Sequence, residues 1–191
     1  MYSHYPELLN QPEEISKDEM LEFIYDAGLF HDIGKTRISN IVKCDYRYLT
    51  NEEFNVIKEH PKLGAELTYN SNYLHIYEPM IRGHHKFYDN IGGYPDDFSR
   101  DNHNMLMIHD ILSLCDSLDS ATDMYGRYYN NPKRIDDVFN EFANDSGTRY
   151  NPELVKCILE DRNLRYLLTT KCTKNERYKI IRDVYVNSSF N

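Results

Sequence analysis

Apolar residues along the chain recur mostly at helical intervals. Met20, Phe23, Ile24, Ala27 and Phe30 fall at the i, i+3, i+4 spacing of one buried face, which predicts a helix from Lys17 to Asp32 stopped by Gly34. A polar connector, Thr36 to Leu49, follows. Thr50 and Glu53 have the spacing of a capping box, so a second helix starts there and turns Phe54 and Ile57 inward. It ends at His60-Pro61, because the residue before a proline is biased out of helical geometry. Pro61 suits the first turn of a third helix running through Leu63, Gly64, Ala65 and Leu67. Ile76, Met80, Ile81 and His84 predict a fourth helix between Leu74 and His85, with Pro79 inside it. Lys86 to Asn102 holds Gly92, Gly93 and Pro95 among interleaved aromatics and reads as a loop, of a length that usually carries function in a compact domain.

The longest periodic stretch is Asn104 to Asp123. Ile108, Ile111, Leu112 and Cys115 point one way, and Asp116, Asp119 and Asp123 follow at intervals of three and four. Pro132 to Phe142 predicts a further helix. Asn151-Pro152-Glu153 opens another, with a cap residue, a proline in the first turn and an acid beside it. Lys174 to Tyr185 predicts the last. No segment shows the alternation of a strand, and there is no internal repeat or low-complexity tract. The expected fold class is all-α. Residues 1–17 read as an irregular N-terminal segment, 18–160 as a helical domain and 161–191 as a C-terminal helical extension packed on it.

Composition narrows the function classes. A chain of 191 residues is long enough for one domain with a sound core, and its 17 Tyr and 8 Phe offset a hydrophobic share of 40%. The net charge of −9 argues against binding nucleic acid polymers. It leaves room for a small phosphorylated ligand, since bound cations reverse the local sign. No apolar run approaches the ~20 residues of a membrane span. The opening MYSHYPELLN has neither the basic start nor the apolar stretch of a secretory signal, so a cytoplasmic protein is expected. Cys44, Cys115, Cys157 and Cys172 form no CxxC pair and read as reduced thiols, with Cys115 in the core.

Candidate chemistry centres on His31-Asp32, at the end of the first apolar helix. His60, the adjacent His84 and His85, and Asp116 within an apolar run complete a set of imidazoles and carboxylates drawn from four segments. Asp116 is flanked by Leu114, Cys115 and Leu118; a carboxylate buried there needs a cation or a donor. Imidazole with carboxylate suits Zn, Mn or Fe, and a shared carboxylate can bridge two ions. His75, His103 and His109 fit no motif and are expected on the surface or behind the site. Asp89 is expected to cap its loop.

These motifs, in this order, resemble the HD-GYP family, a branch of the HD phosphohydrolase superfamily. HDIGK stands at His31 to Lys35, and LTNEEFNVIKEHPKLGAEL at Leu49 to Leu67. HHKFYDNIGGYP stands at His84 to Pro95 and CDSLDSATD at Cys115 to Asp123. Arg127 and Tyr129 fit an Arg-x-Tyr, and SGTRYNPELV (Ser146 to Val155) resembles the closing Gly-Thr-x-x-x-Pro segment. The resemblance implies an HD-domain helical bundle that holds two, sometimes three, Fe or Mn ions. It implies hydrolysis of a cyclic dinucleotide, most often cyclic di-GMP, by a metal-bridging hydroxide in bacterial signalling. Asp32 would bridge the ions, His31 and Asp116 would complete one, and His60, His84 and His85 would hold the other. Lys35 would stabilise phosphoryl charge, Arg127 would grip phosphate or guanine, and Tyr94 would shape the substrate loop. A diguanylate cyclase domain is an implied partner through the Gly93-Tyr94-Pro95 loop.

The chain departs from the pattern in two places. The family carries a further histidine on a helix upstream of the His-Asp pair. Here only His4 lies near that place, between residues that read as irregular. Asn90 stands where glycine is usual, with one extra residue before Gly93. Two other functions therefore stay open at this stage: a catalytically weak binding or regulatory module, and a different nucleotide phosphohydrolase of the same superfamily.

Overall fold

The computed structural model describes residues 16–39, 48–69, 71–101, 105–123, 131–173 and 176–179. Among these the chain is helical and holds no strand, only the isolated bridges Lys86–Gly93 and Ser146–Tyr150. The fold is all-α. In chain order the helices are α1 (Lys17–Phe30), α2 (Asn51–Ile57), α3 (His60–Thr68), α4 (Glu78–Gly83), α5 (Leu106–Thr122), α6 (Ile135–Asn144), α7 (Pro152–Glu160) and α8 (Arg162–Lys171). Short 3-10 segments, Ile33–Ile38 and Leu74–Tyr77, precede α2 and α4.

Helix starts follow from local chemistry. Ser16 and Glu19 form a reciprocal capping box at α1, and Thr50 and Glu53 form another at α2. Asn151 caps α7 through the Glu153 amide, and Asp161 caps α8 through the amides of Asn163 and Leu164. Helix α8 lies in the stretch read as a C-terminal helical extension, although no apolar periodicity marked its bounds. Its segment is polar and buries no residue fully, but Leu164 and Leu168 pack on the apolar cluster below.

Helix α1 ends at Phe30, two residues short of the expected Asp32. The cause is His31, whose Nδ1 lies 2.6 Å from the Gly28 carbonyl. In a continued helix that oxygen would accept from the Asp32 amide. Gly34 does not stop the helix. It lies buried in the 3-10 segment, where a Cβ would sit 1.9 Å from the His60 carbonyl oxygen, so glycine is what lets this segment rest on α3. The expected helix over Leu74 to His85 divides into the 3-10 segment and α4, with Pro79 in the first turn of α4.

Helix α5 is the spine. Its N-terminal half packs Ile108 and Leu112 with Phe23, Ala27, Tyr77, Met80 and Ile81. Its C-terminal half packs Leu114 and Leu118 with Val138, Phe139, Phe142, Tyr150, Val155 and Ile158. Cys115, expected in the core, is exposed, because the neighbouring Leu114 and Leu118 take the inward face. His109, expected on the surface or behind the site, is 1% exposed and packs on Phe98. A buried ionic staple joins the loop after α4 to the bundle. Arg100 donates to Asp110 at 2.6 Å, and the Asn151 amide donates to the other Asp110 oxygen at 2.8 Å. No helix among the described residues is long and apolar enough to cross a membrane.

Candidate metal centre

Three of the candidate imidazoles are placed by one local device. His31, His60 and His84 each point Nδ1 at the carbonyl three residues back, Gly28, Ile57 and Ile81, at 2.6, 2.7 and 2.8 Å. At His60 the device uses an acceptor that Pro61, lacking an N–H, cannot engage. A carbonyl only accepts, so each Nδ1 carries the proton. Each Nε2 is therefore left as the atom facing the interior, the orientation that outer hydrogen bonds impose on metal-binding histidines.

The six candidate side chains converge. His60 Nε2 and His84 Nε2 are 3.1 Å apart. Asp32 Oδ1 lies 3.1 Å from His60 Nε2 and 3.8 Å from His84 Nε2. Its Oδ2 lies 3.4 Å from His31 Nε2 and 2.5 Å from Lys35 Nζ. Asp116 spans the other side, with Oδ1 3.8 Å from His31 Nε2 and Oδ2 3.8 Å from His85 Nδ1. Two groups could each hold a metal ion: His60, His84 and His85, and His31, Asp32 and His84. His84 belongs to both, whereas the sequence reading put it with one ion alone.

The donor set fits a cation. His60 Nε2, His84 Nε2 and Asp32 Oδ1 are three acceptors facing one another, with every proton that would relieve them committed to a backbone carbonyl. Their spacing suits donors that share one ion at about 2 Å. Burial, and then the neighbouring rings of His31 and His60, lower His84 to about 3, so it does not take a proton instead. Burial likewise holds His85 well below its ordinary value, with the adjacent His84 ring adding to the effect. For His31, burial lowers the pKa, but the Asp116 and Asp32 carboxylates outweigh it and raise the ring to about 10. Burial opposes ionisation of Asp32 and Asp116, and the imidazoles around them overcome it. His31 and His60 pull Asp32 far below the ordinary carboxylate range, and His31 and His85 do the same for Asp116. His31 Nε2 thus sits between these two acids, 3.4 Å from Asp32 and 3.8 Å from Asp116.

The cluster forms the floor of a cavity of about 630 Å³, whose walls include Lys35, Tyr94, Phe87, Ser117, Asp123 and Arg149. Tyr94 lies against His85, centroids 4.4 Å apart. The loop bearing it is fixed by Gly93, at φ +79°, where a Cβ would meet the His85 carbonyl at 2.1 Å. Asn90 adopts φ +63°, a left-handed conformation that asparagine tolerates better than most residues. The Asp89 carboxylate caps the turn by accepting from the Ile91 amide at 2.9 Å. Asp119, also on the cavity wall, pairs with Arg177 at 2.9 Å. His4, His103 and Arg127 lie outside the described residues. Sequence reasoning missed Arg149 as part of the cavity. The signal available was its place in the SGTRYNPELV segment, to which no role was attached.

Comparison with known proteins agrees with the all-α fold. Residues 4–121 match the family model described as HD domain. A cyclic di-GMP phosphodiesterase of Thermotoga maritima is 30% identical over 151 residues, 78% of this chain and 40% of the relative. One of Vibrio cholerae is 35% identical over 82 residues, 39% of this chain and 16% of the relative. The cyclic di-GMP phosphodiesterase response regulator RpfG of Xanthomonas campestris is 34% identical over 96 residues, 49% and 25% of the two chains. The chain thus spans 40% or less of the length of these curated relatives. It belongs to the HD-domain family, in the HD-GYP branch.

Proposed function

We propose that this chain is a metal-dependent phosphodiesterase that opens a cyclic dinucleotide, cyclic di-GMP before others. The observation that carries the reading is the acceptor cluster of buried His60 and His84 with half-buried Asp32, reached from an open cavity that Asp32, His60 and the cation Lys35 line. Relatives named for cyclic di-GMP hydrolysis support the substrate class. His31, Asp32, His60, His84, His85 and Asp116 would hold two divalent ions, Fe or Mn. When bound, such ions neutralise phosphoryl charge and lower the pKa of water.

The chain's own residues do the rest. Lys35 faces the cavity beside Asp32 and supplies positive charge where it develops on the phosphoryl oxygens. The carbonyls of Gly28, Ile57 and Ile81 fix three rings in one tautomer and one direction. Tyr94 braces His85 and shields it from solvent. Arg127 takes part in holding substrate, the Gly93-Tyr94-Pro95 loop is the place for a diguanylate cyclase domain to dock, and the protein works in the cytoplasm. Of the alternatives, a binding module without turnover shares this geometry and is separated only by activity.

The test is metal content after purification, then turnover of cyclic di-GMP with Mn or Fe(II). Two ions per chain and hydrolysis that Asp32→Ala abolishes are expected. Two ions with binding but no hydrolysis makes the chain a binding module, and neither ions nor turnover removes the proposal.

A further inference from the structure

Arg149 stands apart from Lys35, which shares the cavity wall, and from two arginines that do not line it. Lys35 is held by Asp32, Arg100 by Asp110 and Arg177 by Asp119. Among the described residues no carboxylate pairs with Arg149. Its guanidinium lies over two rings instead, 5.5 Å from the centre of Phe87 and 5.0 Å from that of Tyr150. One nitrogen reaches the Ser117 hydroxyl at 3.3 Å, next along α5 from Asp116. Both Arg149 and Phe87 line the cavity.

The backbone under the pair is fixed from two sides. The Arg149 amide donates to the Asp145 carbonyl at 3.0 Å, and the Arg149 carbonyl accepts from the Tyr88 amide at 3.1 Å. The Asp89 amide donates to the Thr148 carbonyl at 2.9 Å, so the loop after α4 and the turn between α6 and α7 are hydrogen-bonded to each other. Arg149 lies on the cavity wall with its guanidinium over two rings, and the side-chain contact of its N–H groups is the one to Ser117, also on that wall. That geometry suits the edge of another planar group more than a tetrahedral phosphate. It is also pre-organised, so little side-chain freedom is lost when a ligand arrives.

Resting on the phosphodiesterase reading above, we infer that Arg149, stacked on Phe87, is the residue that reads the purine base of the substrate and selects guanine. Guanine presents O6 and N7 as adjacent acceptors that an arginine fork meets together. Adenine replaces O6 with an amino donor, which faces the guanidinium donor to donor. Phe87 extends the stacking surface for the same base. Arg149 is a specificity residue, and the chemistry at phosphorus belongs to the cluster on the cavity floor.

The experiment compares kcat/KM on cyclic di-GMP, cyclic di-AMP and the base-free diester bis(p-nitrophenyl) phosphate for the natural chain, Arg149→Met and Arg149→Lys. Metal content and melting temperature serve as folding controls. Arg149→Met, which keeps an unbranched stem on the rings, should lower the ratio of cyclic di-GMP to either other substrate roughly 10- to 100-fold, the range of one bidentate base contact. Arg149→Lys should not restore it, since lysine keeps the charge without the fork. A parallel fall on both dinucleotides, or restoration by lysine, would assign Arg149 to phosphate and overturn the inference. An unchanged ratio overturns it as well. Should the variants fail to fold, the 7-deaza analogue of cyclic di-GMP on the natural chain decides: a loss of about tenfold supports a contact to N7, and equal turnover refutes it. Hydrolysis of the simple diester but of neither dinucleotide refutes the substrate class, and the base assignment falls with it. Cyclic di-GMP turnover with an unchanged ratio removes the base assignment alone.

Discussion

Each residue of the centre has a separable job. Lys35 is a cation beside Asp32 and makes no backbone cap, so Lys35→Met should leave the imidazoles in place. We expect kcat to fall about 100-fold, the scale of losing one fixed electrostatic contact to the transition state, with metal content unchanged. A loss of metal along with rate would instead make Lys35 part of the scaffold. Gly34 is the opposite case. It touches no substrate, yet Gly34→Ala places a Cβ against the His60 carbonyl and the Gly64 amide, both backbone groups that cannot swing aside. Thermal melts should show a cost of about 1–3 kcal/mol, and metal affinity should fall with it, because the clash pushes the Asp32 turn off α3. Residue types in the sequence were enough to nominate six converging side chains. They could not reveal the glycine contact, which depends on two segments meeting.

At the scale of elements, the centre is built from helix ends. The first helix ends where His31 takes the Gly28 carbonyl, and His60 and His84 repeat the device at the close of α2 and α4. The capping box at Thr50 and the Asn151-Pro152 start were legible because they are local in sequence; the box at Ser16 is equally local but was not read. Termination by a side chain, Cys115 turning outward from α5 and the polar helix α8 were not, since each depends on what packs alongside. The Arg100–Asp110–Asn151 staple was equally hidden, its members being spread over three segments. It should be costly to break: Asp110→Ala leaves a buried guanidinium unpaired, with an expected loss of about 3–5 kcal/mol in denaturant titrations. Because Arg100 also carries the loop of Gly93 and Tyr94, proteolysis should then cut that loop first. A loss under 1 kcal/mol, on the scale of an exposed pair, would show that the staple is not buried in solution.

For the whole molecule, two apolar clusters share one spine, and the acidic end of the site emerges from α5 at Asp116, near where they meet. The balance of buried charge there sets a pH dependence for the metal-free chain. His84, lowered to about 3 from its ordinary 6.5, binds its proton more readily in the unfolded state, so stability falls as pH drops from 6.5 toward 3. Asp32 and Asp116, both held below the usual carboxylate range, add to that acid loss. His31, raised to about 10, contributes stability that is complete below 6.5 and is lost as pH rises through 10. Melting temperature in chelator should therefore peak near pH 6.5 and decline on both sides. With metal bound the alkaline decline should vanish, since an ion then takes the place of the His31 proton.

The central claim is that four distant segments gather their imidazoles and acids around transition-metal ions. An anomalous-scattering map of crystals grown with Fe(II) or Mn tests it most directly. Two peaks are expected, one on each side of Asp32, one bounded by His60, His84 and His85 and the other by His31 and Asp116. A map with no peak at Asp32, or with the metal held by other residues, would contradict it.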